Sequence, residues 1–135
     1  PPRSTLFPYT TLFRSGTERI LVGEDDPSVR AVVERVLVRA GYQVTLAADG
    51  AEVLRQIEQR TYDLMLLDAV MPGAACLETI DRALARQPSL RIVVASGYTA
   101  DPHVATLLRD RALPLLAKPY DPDTLLRTLR ASLDS

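Results

Sequence analysis

Residues 63–68 read DLMLLD, four apolar residues from Leu64 to Leu67 held between two aspartates. A run with no polar residue on either face suits a strand buried on both sides of a parallel sheet. Upstream, AEVLRQIEQR (51–60) is helical by propensity with Val53, Leu54 and Ile57 inward, and Asp49-Gly50 turns the chain into it. Before that, YQVTLA (42–47) alternates Tyr42, Val44 and Leu46 against Gln43 and Thr45, which predicts an edge strand with one face open to water. RILVG (19–23) is a further short apolar strand and ends in three acids, Glu24, Asp25 and Asp26. Pro27 then suits the first turn of a helix, whose Val29, Val32, Val33, Val36, Leu37 and Ala40 form one inward face before Gly41 stops it.

Downstream, Pro72-Gly73 marks a loop, and Leu77, Ile80 and Leu84 carry a helix that stops before Pro88. RIVVAS (91–96) is a fourth strand, and a helix is expected from Pro102 to Arg111 with Val104, Leu107 and Leu108 inward. PLLA (114–117) makes a short fifth strand, with Pro114 tolerable only at an edge. Leu125, Leu126, Leu129 and Leu133 give the last helix its face, with Pro122 near its start. Strand then helix, five times over, predicts an α/β fold with helices on both faces of a parallel sheet. With the second and fifth strands at the edges, the order is 2-1-3-4-5, the flavodoxin-like doubly wound arrangement. Its ligand site lies at the carboxyl ends of the strands, around the switch point between strands 1 and 3.

Composition narrows the function. The chain has 135 residues, 47% of them hydrophobic, which is one domain with a real core. The formal net charge is −1, and residues 1–15 hold Arg3 and Arg14 but no acid, so the remainder carries 14 basic against 17 acidic residues. That balance offers no basic footprint for nucleic acid. Cys76 is the single cysteine, which excludes an internal disulfide framework. No apolar run approaches the roughly 20 residues of a membrane helix, and the expectation is a soluble, cytoplasmic domain without membrane contact.

The predicted topology brings Glu24, Asp25 and Asp26 together with Asp68, Ser96 and the Lys118-Pro119 pair. Carboxylates gathered at one sheet end repel each other, and a hard divalent cation such as Mg²⁺, which takes oxygen ligands, is the obvious remedy. Asp68 can then act as a nucleophile toward a phosphoryl group, with the Lys118 ammonium neutralising phosphoryl oxygens and the Ser96 hydroxyl donating to one of them. Fifteen of the sixteen basic residues are arginine and Lys118 is the lone lysine, which fits a demand for a compact point charge. Asp26 reads as a helix N-cap ahead of Pro27 rather than as a metal ligand. Cys76 reads as a small hydrophobe, and His103 as a surface residue.

ILVGEDDPSVR, GYQVTLAADGAEVL, DLMLLDAVMPG, IVVASGYT and LLAKPY, in this order, resemble the successive motifs of the response-regulator receiver domain, the phosphoacceptor of two-component signalling. The resemblance runs from about Arg19 to the end of the chain. It implies that Asp68 takes a phosphoryl group from the phosphohistidine of a histidine kinase or phosphotransfer protein, as a signalling switch and not an enzyme. Glu24, Asp25, Asp68 and the backbone carbonyl of Val70 would hold Mg²⁺, Ser96 would be the hydroxyl switch residue, and Lys118 would bind phosphate. A cis peptide between Lys118 and Pro119 is implied too, as is a partner surface on the fourth helix, fifth strand and last helix, with room for a weak phosphorylation-dependent homodimer.

This chain departs from the family pattern at Leu115, where an aromatic switch residue is usual, and at Cys76, where glycine is common. Val70 and Tyr98, two residues beyond Asp68 and Ser96, are bulky enough to shield an acyl phosphate from water, which predicts slow self-dephosphorylation. Three other readings compete. A phosphatase of the haloacid dehalogenase type also uses a strand-end aspartate and Mg²⁺, but its DxD pattern is broken here by Val70. A flavodoxin-like FMN carrier needs a phosphate-cradling loop where this chain has acids. A receiver that no longer accepts phosphate is disfavoured by the presence of the acid pair, Asp68, Ser96 and Lys118.

Residues 5–15, TLFPYTTLFRS, resemble the in-frame translation of a common short-read sequencing adapter. They predict an artefactual or disordered segment at 1–15, with the receiver domain at 16–135. The natural parent is then expected to be longer, either a hybrid sensor histidine kinase with a C-terminal receiver or a stand-alone regulator.

Overall fold

The apolar run at 64–67 becomes the centre of the molecule. In a computed structural model, which describes residues 17–71, 76–97, 106 and 109–135, strand β3 (Leu64–Asp68) is buried along its whole length. β1 (Arg19–Gly23) and β4 (Arg91–Ser96) flank it, and β2 (Gln43–Ala47) and β5 (Leu115–Ala117) are the edges. All neighbours are parallel, in the expected order β2-β1-β3-β4-β5.

The alternation of side chains along a strand divides each apolar run between two cores. Ile20, Val22, Leu64, Leu66, Val93 and Ala95 face one side. There they meet Val33 and Leu37 of α1 (Pro27–Arg39) and Leu125 and Leu129 of α4 (Pro122–Asp134). Leu21, Met65, Leu67, Ile92 and Val94 face the other side, against Val53 and Ile57 of α2 (Gly50–Gln59) and Ile80 and Ala83 of α3 (Cys76–Arg86). Burying each such aliphatic side chain contributes about 1.5–3 kcal/mol, which is why the interior strands are apolar between Arg19 or Arg91 at their starts and the polar groups at their carboxyl ends.

Aspartates start three of the helices. Asp26 Oδ1 accepts from the Ser28 amide at 2.9 Å, with Pro27 in the first turn as expected. Asp49 Oδ1 accepts from the Glu52 amide at 2.8 Å while Glu52 Oε1 accepts from the Ala48 amide at 3.0 Å, a reciprocal cap. Asp121 Oδ1 accepts from the Thr124 amide at 2.8 Å. Gly41 ends α1 with φ 100°, a conformation that favours glycine.

The structure departs from the sequence expectations in three places. Val32, expected inward, is 50% exposed: α1 turns only a narrow stripe to the sheet, and Val32 sits beyond its edge. Val44, Thr45 and Leu46 are all half-buried instead of alternating, because α1 and α2 both reach the edge strand. Pro114 lies just before β5, not within it, and its carbonyl accepts from the Val94 amide at 3.0 Å. Most of the helix expected at 102–111, including His103, Val104, Leu107 and Leu108, lies outside the described residues, as do segment 1–16, Pro72, Gly73 and Tyr98. Among the described residues no helix is long and apolar enough to cross a membrane.

Candidate functional site

Strand register decides which side chains meet at the carboxyl edge. Gly23 of β1 pairs with Leu67 of β3, so the next residues on the two strands, Glu24 and Asp68, come side by side. Asp68 pairs in turn with Ala95, and Ser96 with Ala117. The Lys118 amide then donates to the Ser96 carbonyl at 2.9 Å. With parallel strands about 4.8 Å apart, four strand ends become a single row of functional groups. Gly23 itself keeps the row tight: a Cβ there would stand 2.9 Å from both Leu67 Cδ1 and Val53 Cγ2.

Glu24 is 3% and Asp68 8% exposed, whereas Asp25 is open to solvent. One carboxylate oxygen from each of the three lies within 4.8 Å of the other two. Lys118 Nζ reaches both buried acids, at 2.8 Å from Glu24 Oε1 and 3.3 Å from Asp68 Oδ2. The remaining oxygens take backbone donors: the Asp26 amide donates to Glu24 Oε2 at 3.0 Å and the Val70 amide to Asp68 Oδ1 at 3.2 Å. Burial, with the neighbouring Asp68 charge, raises the Glu24 pKa above the ordinary glutamate value against the pull of Lys118 and the Asp26 amide. Burial alone would lower Lys118, but its hydrogen bond to Glu24 and the charges of Asp68 and Glu24 hold the ammonium above its usual value.

Of the expected site residues, Glu24, Asp25, Asp68, Ser96 and Lys118 come together at this edge, whereas Val70 meets Asp68 through its amide. Ser96 is half-buried, and its hydroxyl donates to the Gly97 carbonyl at 3.3 Å. The Lys118-Pro119 peptide is cis. Asp26 is the cap of α1. Leu115 is 40% and Val70 64% exposed. Cys76 packs against the second core, and burial pushes its thiol up to about 11, which keeps it protonated at neutral pH.

Two neighbours of the site escaped the sequence reading. Arg30 Nη1 donates to the Glu24 carbonyl at 2.8 Å and lies 3.4 Å from that of Asp25. Its signal was weak: a guanidinium near the start of a helix sits where the dipole favours anions, and the three acids just upstream offer it compensation. Tyr120 lines a cavity of about 500 Å³ beside Lys118, walled also by Val29, Val32 and Pro119. Burial pushes the Tyr120 hydroxyl up to about 12. It closes the LLAKPY motif, but nothing in that motif singles the tyrosine out from an ordinary loop residue.

Three carboxylate oxygens at this spacing form a hard donor set of the kind that suits Mg²⁺. A family model described as "Response regulator receiver domain" matches residues 20–130. The chain belongs to that family. Receiver domains are the phosphoacceptor modules of two-component signalling and bind Mg²⁺ at an acidic pocket, and this chain is such a signalling domain.

Transcriptional regulatory protein ZraR of Escherichia coli O157:H7 is 32% identical over 114 residues, covering 84% of this chain and 26% of that protein. A CheY-like receiver domain from Methanospirillum hungatei JF-1 superposes with a TM-score of 0.82 at 27% identity, covering 88% of this chain and 95% of that one. The receiver domain of sensor histidine kinase PA1611 from Pseudomonas aeruginosa PAO1, whose structure has a magnesium ion in the active-site cleft, gives 0.79 at 28% identity, covering 89% of this chain and all of that one (100%). The chain spans between 17% and 29% of the length of the first curated relatives it matches.

Proposed function

We propose that Asp68 is the phosphoacceptor and that the donor is the phosphohistidine of a histidine kinase or phosphotransfer protein. An Asp68 carboxylate oxygen attacks phosphorus, the P–N bond to the donor imidazole breaks with its electron pair returning to the ring nitrogen, and an aspartyl phosphate results. Lys118 is the mobile cation of the reaction, leaving Glu24 and Asp68 to meet the phosphoryl oxygens. The Ser96 hydroxyl, which donates to the Gly97 carbonyl at 3.3 Å, turns to donate to one of them. Glu24, Asp25, Asp68 and the Val70 carbonyl are the groups that would hold Mg²⁺, which supplies charge neutralisation at the phosphoryl oxygens.

The observation that carries this reading is the meeting of three carboxylates within 4.8 Å with a lysine ammonium 3.3 Å from the central one. The domain promotes its own phosphorylation and turns over no separate substrate. We take residues 16–135 as this unit, acting in the cytoplasm where such donors are found, and residues 1–15 as unrelated to it. The phosphorylated form presents its changed surface on β5 and α4 to a partner or to a second copy.

Intact mass spectrometry after incubation with acetyl phosphate and Mg²⁺ tests the proposal. A single phosphoryl adduct that requires Mg²⁺ and is missing in Asp68→Asn is the expected outcome. A folded protein that takes no adduct, or an adduct that survives in Asp68→Asn, refutes it.

A further inference from the structure

Arg30 stands where helix electrostatics disfavour it. α1 has no acid in its first turn beyond the cap, and a guanidinium four residues after Asp26 opposes the positive end of the helix dipole. What holds it there is the acid loop: Arg30 Nη1 donates to the Glu24 carbonyl at 2.8 Å and reaches the Asp25 carbonyl at 3.4 Å. These two carbonyls sit where the chain leaves β1, and the Glu24 amide makes the last bond to β2, to the Ala47 carbonyl at 3.0 Å. Beyond that point the sheet no longer fixes the backbone. Arg30 and the Asp26 cap take over, since the Arg30 amide also donates to the Asp26 carbonyl at 2.9 Å. The guanidinium thus closes a ring of contacts around the peptide units that carry the Glu24 and Asp25 side chains.

On this geometry, and resting on the metal reading above, we infer that Arg30 is a positioning residue for the acidic pair. It orients the carboxylates of Glu24 and Asp25 toward Asp68 through their backbone, without touching the cation or the phosphoryl group. Groups that orient a metal's ligands act on affinity for the metal, commonly by tenfold or more.

The sign of the effect separates this role from a plain charge effect. Deleting a cation beside an anionic pocket makes the pocket more negative, so if Arg30 acted by charge alone its loss would tighten binding of a divalent ion. If it positions the loop, its loss weakens that binding. The experiment is a titration of Mn²⁺ alone, followed by the free-ion electron paramagnetic resonance signal, on wild type, Arg30→Met, Arg30→Lys and Arg35→Met, with thermal melts in EDTA alongside. Arg30→Met keeps the aliphatic stem and removes the donors. Arg35→Met removes an exposed charge from the same helix away from the loop.

The expected result is binding about tenfold weaker in Arg30→Met, partial recovery in Arg30→Lys, and no change in Arg35→Met. Unchanged or tighter binding in a folded Arg30→Met overturns the inference. Should Arg30→Met not fold, Arg30→Lys decides: it keeps the charge but loses the reach of the fork, so weaker binding supports positioning and wild-type binding refutes it. Wild-type protein that leaves the Mn²⁺ signal untouched refutes the metal reading itself, and this inference with it.

Discussion

Replacing Lys118 by methionine keeps the aliphatic stem and removes the ammonium that touches Glu24 at 2.8 Å and Asp68 at 3.3 Å. Both carboxylates are nearly fully buried and retain one backbone donor each, from Asp26 and Val70. Breaking a fully buried ion pair by deleting one partner costs about 3–5 kcal/mol, because the other charge stays behind uncompensated. The Lys118 side chain is 25% exposed, so water reaches the site, and a loss of about 2–3 kcal/mol is the better expectation. For a domain of this size that is a fall in Tm of roughly 8–12 °C.

The assay is thermal melting followed by circular dichroism at neutral pH in EDTA and low salt. Acid is the internal control: Glu24, held above the ordinary glutamate value chiefly by burial, takes up its proton as the pH falls, and the gap between variant and wild type narrows. Melting within roughly 2 °C of wild type at neutral pH, or a deficit of the same size in acid, refutes the claim that Lys118 is the counter-charge of the row.

Gly23→Ala forces a Cβ to within 2.9 Å of Leu67 and Val53 side-chain atoms; it is expected to cost about 1–2 kcal/mol in urea titrations, and less in a Val53→Ala background that makes room. Cys76, with its thiol pushed from 9.0 up to about 11, holds about a hundredfold less thiolate than a free cysteine, so disulfide-reagent kinetics at mildly alkaline pH are expected to be slow and to accelerate on unfolding in urea. Glu18 is held below the ordinary value of 4.5, chiefly by its hydrogen bond to Arg130 at 2.7 Å. A lowered carboxyl pKa stabilises the fold above the ordinary value, and that contribution is lost as pH falls through the folded-state value. Arg130→Met is therefore expected to flatten the fall in Tm below pH 4.5, and an acid limb as steep as wild type would contradict the assignment.

What the sequence could disclose follows from which interactions are local. β1, β3 and β4 were legible because burial on both faces removes every polar residue from a run, as at Leu64 to Leu67. The site was legible for a related reason: in a parallel sheet the strand ends line up, so Glu24, Asp68, Ser96 and Lys118 could be brought together from topology alone. Val32 was misjudged because helical periodicity gives the direction of a face but not its width, and only the neighbouring elements fix how much of α1 the sheet covers. Gln87 shows the opposite limit. Its side chain accepts from the Tyr62 amide at 2.9 Å and donates to the Ile57 and Arg60 carbonyls at 2.9 and 2.6 Å, joining the ends of α2 and α3. These contacts span 25 to 30 residues, and nothing in the identity of a glutamine before a proline announces them.

The lone lysine is the one place where composition, packing and chemistry converge on a single explanation. Arginine serves every other cationic role in this chain, including the forks of Arg130 on Glu18 and Arg111 on Asp81. At position 118 a fork would engage one carboxylate through two nitrogens and stay there, since planar bidentate pairing leaves little freedom. An ammonium is a point charge with three donors on a flexible stem, so it divides itself between Glu24 and Asp68 and has a donor to spare. It neutralises two buried acids that otherwise have one backbone donor each, and in the proposed reaction it would leave either for a phosphoryl oxygen without breaking a two-toothed contact. On the proposed function, a resting site that must be both stable and ready to exchange counter-charges selects lysine over arginine.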